Sequence, residues 1–384
     1  MKNILAKLLA VVVVVATFTS CHFGKSEVKE INYSLLPYVF KTDEGAMWLG
    51  YLDTKGNVVI NPRFPDAWAF SYGLAQVVDT NYLHGYIDET GRFVIPAIYD
   101  NETMFFENLA FAHQPGQPIV CLNTAGKVVF ELPDIIEAGV FSEGLAPVCN
   151  SNNKWGFVNN KGEMVITPQF DQVDLFSEGL AGVMLGDKCG YIGHDGHFVI
   201  NPQYRTVYTF TFGKAHVKKS NYGYGDIIDK QGVDVSDKFS GCDYDWISEG
   251  LVLGTEKQHT IIRNHYGDLM ATTQKFDNWG RFSEGLCKVL IGKKWGFIDK
   301  KGLVAINPLY DNVSNFHDGV AIVVVDDKYG LIDHKGNVVV EPQYLHIGSI
   351  PHFWAGSSET MLKSDMLPKY SCRLDINRTK KKKK

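Results

Sequence analysis

Several things are missing from this sequence, and each absence removes a class of function. No amphipathic helical period lasts more than a turn or two beyond residue 36, which excludes a helical bundle. No cysteine pair has C-x-x-C spacing and no cysteine is paired with histidine at metal-ligand spacing, so neither a zinc module nor a thioredoxin-like centre is expected. There is no G-x-S-x-G elbow, no phosphate-binding loop and no dinucleotide fingerprint; Gly223-Tyr224-Gly225 has no helix pattern behind it. A basic surface is also lacking. The formal net charge is −5, and the body without the basic tail is more acidic still, which argues against nucleic-acid partners. The pattern implies no enzyme, no cofactor and no metal.

What is present is turn-forming and β-forming: 37 Gly, 14 Pro and 12% aromatic residues, which favour many short strands over long helices. Residues 1–20 stand apart. Lys2 and Lys7 precede the apolar run Leu8 to Ala16, too short to span a bilayer comfortably as a helix. The run leads into Phe18-Thr19-Ser20-Cys21, and a small residue directly before Cys resembles the lipobox of bacterial lipoprotein signal peptides. That resemblance implies lipidation of Cys21 and a membrane anchor. The residue after it is not Asp, which implies the outer membrane of a Gram-negative cell, with the periplasmic side favoured over the surface. Residues 21–46 read as a tether and N-terminal cap. At the other end, residues 346–377 read as a C-terminal cap and 378–384 as a disordered polybasic tail. The remaining cysteines, Cys121, Cys149, Cys189, Cys242, Cys287 and Cys372, fall at different repeat positions and read as small buried thiols.

Between those ends the chain repeats itself. Residues 154–162 read KWGFVNNKG and residues 294–302 read KWGFIDKKG. Aligning on the last glycine of each segment gives Gly56, Gly91, Gly126, Gly162, Gly196, Gly232, Gly267, Gly302 and Gly336, a period of about 35 residues over 47–345. Asp at the first turn position and Gly at the last suit a type I turn closed by a glycine bulge. A strand such as NVVINP follows, and its proline, lacking an N–H, is expected to end the ladder. Next come an aromatic (Phe64, Tyr99, Phe170, Tyr204, Tyr310, Tyr344), a second aromatic (Phe70 through Phe316) and a Ser-Glu-Gly-Leu turn. Unit two places Asn108 where the others have that turn's Gly, which predicts a left-handed backbone there.

These residues resemble the WG-repeat (KWG-repeat) family of bacterial proteins. Trp155-Gly156 and Trp295-Gly296 carry the signature, and Gly162 and Gly302 close the matching turns. The family likeness implies a β-repeat scaffold without catalytic residues. The fold expected is all-β: nine three-stranded antiparallel units stacked as an open, twisted solenoid, with a propeller-like ring as the alternative. Trp155, Trp295 and the post-proline aromatics are expected in the core. The turn glutamates Glu143, Glu178, Glu249 and Glu284 are expected to bond neighbouring backbone amides. The non-repeating aromatics Trp68, Tyr72, Tyr222, Tyr224, Tyr244 and Trp279 are the candidate ligand-binding residues. The function expected is a monomeric, lipid-anchored scaffold for a protein or other macromolecule, with a glycan-binding accessory lipoprotein as the alternative.

Overall fold

The structure, a computed structural model, describes residues 31–32, 35–100, 104–220, 225–242, 247–348 and 373–375. The leader, Cys21, Cys372, the polybasic tail, Tyr222, Tyr224 and Tyr244 lie outside these residues. The described residues form nine small antiparallel sheets, here blades 1 to 9, spanning 35–64, 66–99, 109–132, 135–170, 172–204, 206–229, 251–273, 278–310 and 312–344. The all-β expectation holds: the described residues contain one helical element, a single 3-10 turn at Ser236–Phe239.

Blade 5 displays the plan. Its strands Gln172–Val173, Ala181–Leu185, Lys188–Ile192 and Phe198–Tyr204 pair in sequence order. The first strand comes from the stretch that the repeat pattern leaves as an irregular connection, so blades 2, 4, 5, 8 and 9 have four consecutive strands where three were expected. The middle strands are buried; the last has one face half open, with the pattern exposed–exposed–buried–exposed recurring at Val58–Phe64, Phe93–Tyr99, Met164–Phe170 and Val304–Tyr310.

The blades close into a ring, the alternative arrangement, and the open solenoid is not formed. Two kinds of contact establish this. In most blades the glycine closing the third-to-fourth-strand turn sits on the last strand of the preceding blade: Gly91 on Ile60, Gly196 on Ile166, Gly336 on Ile306. Gly56 of blade 1 makes that same contact with Val340 of blade 9. The second contact is a strand exchange. In blade 5, Val173 pairs with Val183 and Asp174 N–H donates to Gly182 O. In blade 1 the corresponding first strand is supplied by the far end of the chain: Ile347 bridges Tyr38, and Gly348 N–H donates to Pro37 O at 2.8 Å. Leu36, Tyr38 and Leu52 share one apolar cluster with Val320, Leu331, Val340 and Ile347. Residues 35–41 and 346–348, read from sequence as caps, are therefore parts of one blade. A row of half-hydrophobic units gains an additional buried face when its ends meet, which removes the need for polar terminal units.

The core lies between blades. The second aromatics Phe70, Phe105, Phe141, Phe176, Phe210, Phe282 and Phe316 are all essentially inaccessible. Phe157 meets Phe176 edge-on at 4.8 Å between ring centroids, and Tyr191 meets Phe210 at 4.7 Å, each pair joining the third strand of one blade to the next blade. Among the post-proline aromatics, Phe64, Tyr99, Phe170, Tyr204 and Tyr310 are buried, whereas Tyr344 is partly open. Trp155 and Trp295 are only half-buried, a correction to the expected core position; each stands at the start of the third strand, where the sheet edge opens.

The glycine of the WG pair has a steric reason. Trp155 pairs with Phe170 and Phe157 with Ile166, so Thr167, Pro168 and Gln169 arch over the single residue Gly156. A Cβ there would lie 2.2 Å from Ile166 O and 2.7 Å from Pro168 N. Blades 1, 2, 5, 8 and 9 repeat the arch over Gly50, Gly85, Gly190, Gly296 and Gly330. The proline does not end the strand, as its missing donor had suggested. It sits in the bulge, and the strand continues to the aromatic. Blades 3 and 7, which have Val120 and Ile261 at the glycine position, lack the arch: Val120 pairs directly with Glu131, and Ile261 with Thr272. Glycine and arch occur together or not at all in these eight blades.

Candidate binding surface

The two ends of the blades differ. At one end lie both tight turns of the repeat, joining strands one to two and three to four. In the first, Ser142 and Leu145 exchange backbone hydrogen bonds around Glu143 (φ 55°) and Gly144 (φ 78°), a two-residue turn with both central residues left-handed. Asn108 has φ 64°, as its substitution for glycine predicted. In the second, Asp333 Oδ1 accepts from Lys335 N–H and Asn337 N–H, while Gly336 N–H donates to Asp333 O. Asp53, Asp88, Asp229 and Asp299 do the same, and Asn123, Asn159 and Asn264 substitute with their amide oxygens.

The recurring glutamates are not a row of isolated turn acids. Each accepts from the turn glycine of the next blade: Gly144 N–H to Glu107, Gly179 to Glu143, Gly213 to Glu178, Gly285 to Glu249 and Gly319 to Glu284, at 2.8–3.3 Å. Four of them also hold a base from the second turn of that next blade. His194 reaches Glu143 at 3.0 Å, Lys230 reaches Glu178 at 3.2 Å, Lys300 reaches Glu249 at 3.0 Å and His334 reaches Glu284 at 2.8 Å. A parallel ladder of serine hydroxyls runs beside them: Ser142 Oγ donates to Phe176 O, Ser177 to Phe210 O, Ser248 to Phe282 O and Ser283 to Phe316 O. Between blades 6 and 7 the acid position holds Phe212, and the base position holds His265; they stack at 5.4 Å. Lys214 occupies this seam, donating to His265 O at 2.7 Å, and burial pulls its ammonium below the usual lysine range. The sequence signal for all this was available: a Glu and a His or Lys recur in fixed phase one blade apart.

The opposite end carries the hairpins between strands two and three, which have two residues in blades 5, 7, 8 and 9 and are longer in blades 1 to 4. Blade 5 turns through Gly186-Asp187 alone, blade 1 needs Thr42–Ala46, and blade 3 uses the longer stretch from His113 to Pro118. Large apolar groups project here. Phe40 and Met47 of blade 1 are 51% and 41% exposed, and Tyr82 of blade 2 is 71% exposed.

The candidate aromatics are not brought together. Trp68 lies in blade 2, its carbonyl accepting from Tyr51 Oη at 2.8 Å and its ring beside His84 at 5.7 Å. Trp279 packs on the core of blade 8, with blades 9 and 1 between it and Trp68. Tyr72 occupies a turn position equivalent to Glu143, at φ 53°, packed on the Leu74–Tyr86 cluster. A cleft of about 500 Å³ opens at the rim between blades 1 and 2, lined by Arg63, Arg92 and Phe93 among others. Arg63 donates to Gly91 O and Arg92 pairs with Asp88, so both guanidiniums are already engaged. Among the described residues, no three His, Cys, Asp or Glu side chains gather as a metal site. Among Cys121, Cys149, Cys189, Cys242 and Cys287, all but Cys242 are buried.

Comparison with known proteins agrees with this anatomy. The WG containing repeat family matches at residues 50–81, 85–113, 121–155, 155–189, 190–222, 274–295, 295–329 and 329–350. No curated protein matches. Among solved structures, the Hsv2p protein of Kluyveromyces lactis is 12% identical, over 66% of this chain and 100% of its own, with a TM-score of 0.37. BamB of Moraxella catarrhalis is 9% identical over 78% and 94%, with a TM-score of 0.28. The computationally designed protein Ika8 is 9% identical over 72% and 87%, with a TM-score of 0.34. At these TM-scores the likenesses carry no argument. The family matches extend over more than half of the sequence and include the six arch glycines, Gly50, Gly85, Gly156, Gly190, Gly296 and Gly330: the chain belongs to the WG containing repeat family.

Proposed function

We propose that this chain is a non-enzymatic, lipid-anchored ring of a bacterial cell envelope that holds a protein or another macromolecule on its variable hairpin face. The observation that carries the reading is the division of labour between the two ends of the blades. At the repeating end, the recurrent polar groups are used between blades, as glutamate–amide–base joints and serine–carbonyl bonds. At the other end, the hairpins of blades 1 to 4 are longer than the two-residue hairpins of blades 5, 7, 8 and 9, and those of blades 1 and 2 present Phe40, Met47 and Tyr82 to solvent. A rigid scaffold carrying unlike loops is the usual arrangement for recognition. The anchor reading rests on Lys2, Lys7, the Leu8–Ala16 run and Ser20-Cys21.

Two measurements test the proposal. Cys21→Ala is expected to move the protein from the membrane to the soluble fraction of envelope preparations; unchanged fractionation refutes the anchor. Cross-linking of the anchored protein in native envelopes, followed by identification of the captured macromolecule, is expected to lose its partner when the hairpins of blades 1 and 3 are cut back to a Gly-Asp turn. Capture that survives this trimming rules out the hairpin face. Sugar binding abolished by Trp68→Ala or Trp279→Ala would instead favour the glycan reading.

A further inference from the structure

The four-stranded blades run in order from first strand to fourth, and the fourth strands carry the open faces, with Val58, Val59, Val199 and Val304 between 42% and 53% exposed. Blades set around a ring diverge outward, so the fourth strands form its outside and the first strands turn their free edges to the central channel. Among the described residues, two of those edges are covered by segments from outside the repeat. Ile31–Asn32 lies antiparallel to the first strand of blade 2, with Ile31 opposite Ser71 and Asn32 opposite Phe70. Arg373–Asp375 lies antiparallel to the first strand of blade 6, Thr206–Tyr208, with Leu374 opposite Val207. We propose that the channel edge of blade 6 is a strand-accepting site for an extended polypeptide segment of a partner, and that residues 373–375 occupy it in cis until such a segment replaces them. The site is distinct from the hairpin face and does not depend on the anchor.

The accepting strand is held in place by the blades themselves. Val207 pairs with Val217 of the second strand, Arg205 N–H donates to Lys218 O, and Tyr208 O accepts from Tyr191 Oη of blade 5 at 2.7 Å. The edge therefore persists when its occupant leaves. The Thr206 and Val207 side chains are buried, so what this edge offers a neighbour is its row of backbone N–H and C=O groups. Such a row pairs with an extended chain largely regardless of sequence, which is how strand addition captures peptides. Sugars and lipid headgroups have no matching row. The ring already uses this chemistry once to close itself, where Ile347 and Gly348 complete blade 1. The occupant of blade 6 is joined by three residue pairs alone. Its tie to blade 1 through residues 349–372 makes it an intramolecular competitor, at an effective concentration on the order of millimolar. A free peptide must exceed that concentration, whereas a partner already seated on the ring competes on equal terms.

The test unseats the occupant and offers a substitute. Leu374→Pro removes one N–H and restricts residue 373, so the segment can no longer pair, while the blades are untouched. Hydrogen–deuterium exchange is followed by mass spectrometry on detergent-extracted full-length protein, native and Leu374→Pro. The probe is a synthetic peptide of residues 370–377 carrying Cys372→Ser. In the native protein the segment spanning Thr206–Tyr208 should exchange slowly and be unaffected by the probe at about 0.1 mM, below the effective concentration of the tethered strand. In Leu374→Pro it should exchange about tenfold faster, and the probe at a few millimolar should restore the slow rate. A probe that itself carries Leu374→Pro should not. Equal exchange in the native and Leu374→Pro proteins, or exchange in the variant that the intact probe leaves unchanged, would overturn the proposal.

Discussion

Replacing Gly156 with alanine isolates the steric role of the WG glycine. The residue does not sit at positive φ, so the substitution carries no backbone-conformational penalty. The added methyl would stand 2.2 Å from Ile166 O and 2.8 Å from Thr167 C, against an ordinary contact of at least 3.4 Å. Relief requires the Thr167–Gln169 arch to lift by about 1 Å, while the pairs on either side, Trp155 with Phe170 and Phe157 with Ile166, hold it down. Overpacking of this kind costs about 1–3 kcal/mol, and a displaced ladder hydrogen bond adds about 1 kcal/mol. The lower entropy of unfolded alanine returns about 0.4–1 kcal/mol. The net expectation is a loss of about 1–3.5 kcal/mol, a fall of roughly 2–6 °C in Tm for a ring of this size. Trp155→Phe, at a half-buried position, should cost less than about 1.5 kcal/mol. Urea unfolding followed by tryptophan emission and circular dichroism measures both. If Gly156→Ala unfolds within about 0.5 kcal/mol of native, or if Trp155→Phe proves the costlier change, the arch argument is wrong.

Other outcomes follow from the same structure. Glu178→Ala removes the acceptor of Gly213 N–H and of Lys230 at the least exposed of the four joints, and should lower stability by about 1.5–3 kcal/mol in urea titrations; Glu249→Ala, at a more open joint, should lower it less. Asp88 is held down to about 2, first by the Thr90 hydroxyl and then by the Arg92 and Thr90 amides and the Arg92 guanidinium; Asp333 is lowered chiefly by the Asn337 side chain, and Asp311 by Lys294. Since unfolded Asp titrates near 3.9, this stabilisation is present above about pH 4 and disappears as pH falls toward 2. Asp88→Asn, which retains the Oδ1 acceptor that Asn159 already supplies in blade 4, should flatten the acid limb of a pH–Tm curve. Burial pushes the Cys121 and Cys287 thiols up to about 12, so peptide-resolved alkylation at pH 8 should label the half-exposed Cys242 first and these two only on unfolding.

The periodic part of this molecule was legible because each repeat position meets one physical demand. The Asp-x-x-Gly turns, the left-handed Asn108 and the buried second aromatics stand where the pattern puts them. The closure was not legible, because Leu35–Lys41 and residues 346–348 carry none of the motif; they are recognisable as strands only by what they pair with. Pro168 was misread for a related reason. A missing N–H suggests the end of a ladder, and only the glycine across the sheet reveals that a bulge is accommodated there. The candidate site was harder still. Trp68 and Trp279 stand out in sequence because they break the pattern, yet breaking a repeat does not put two residues on one surface. The hairpin face was harder to read because its longer loops vary, even though Asp171, Asp277 and Asp311 recur in one phase, each accepting the N–H of a short turn's first residue.

Blade 1 is sewn from both ends of the polypeptide, and that orders events during synthesis. Leu35–Lys41 leaves the ribosome about three hundred residues before Ile347, its hydrogen-bonding neighbour, has been made. Until then the nascent chain carries a bare strand edge at its front, and blades 2 to 9 can accumulate only as an arc. Translation arrested anywhere short of Gly348 leaves an arc that cannot latch, so residues 346–348 decide whether the whole product is a ring.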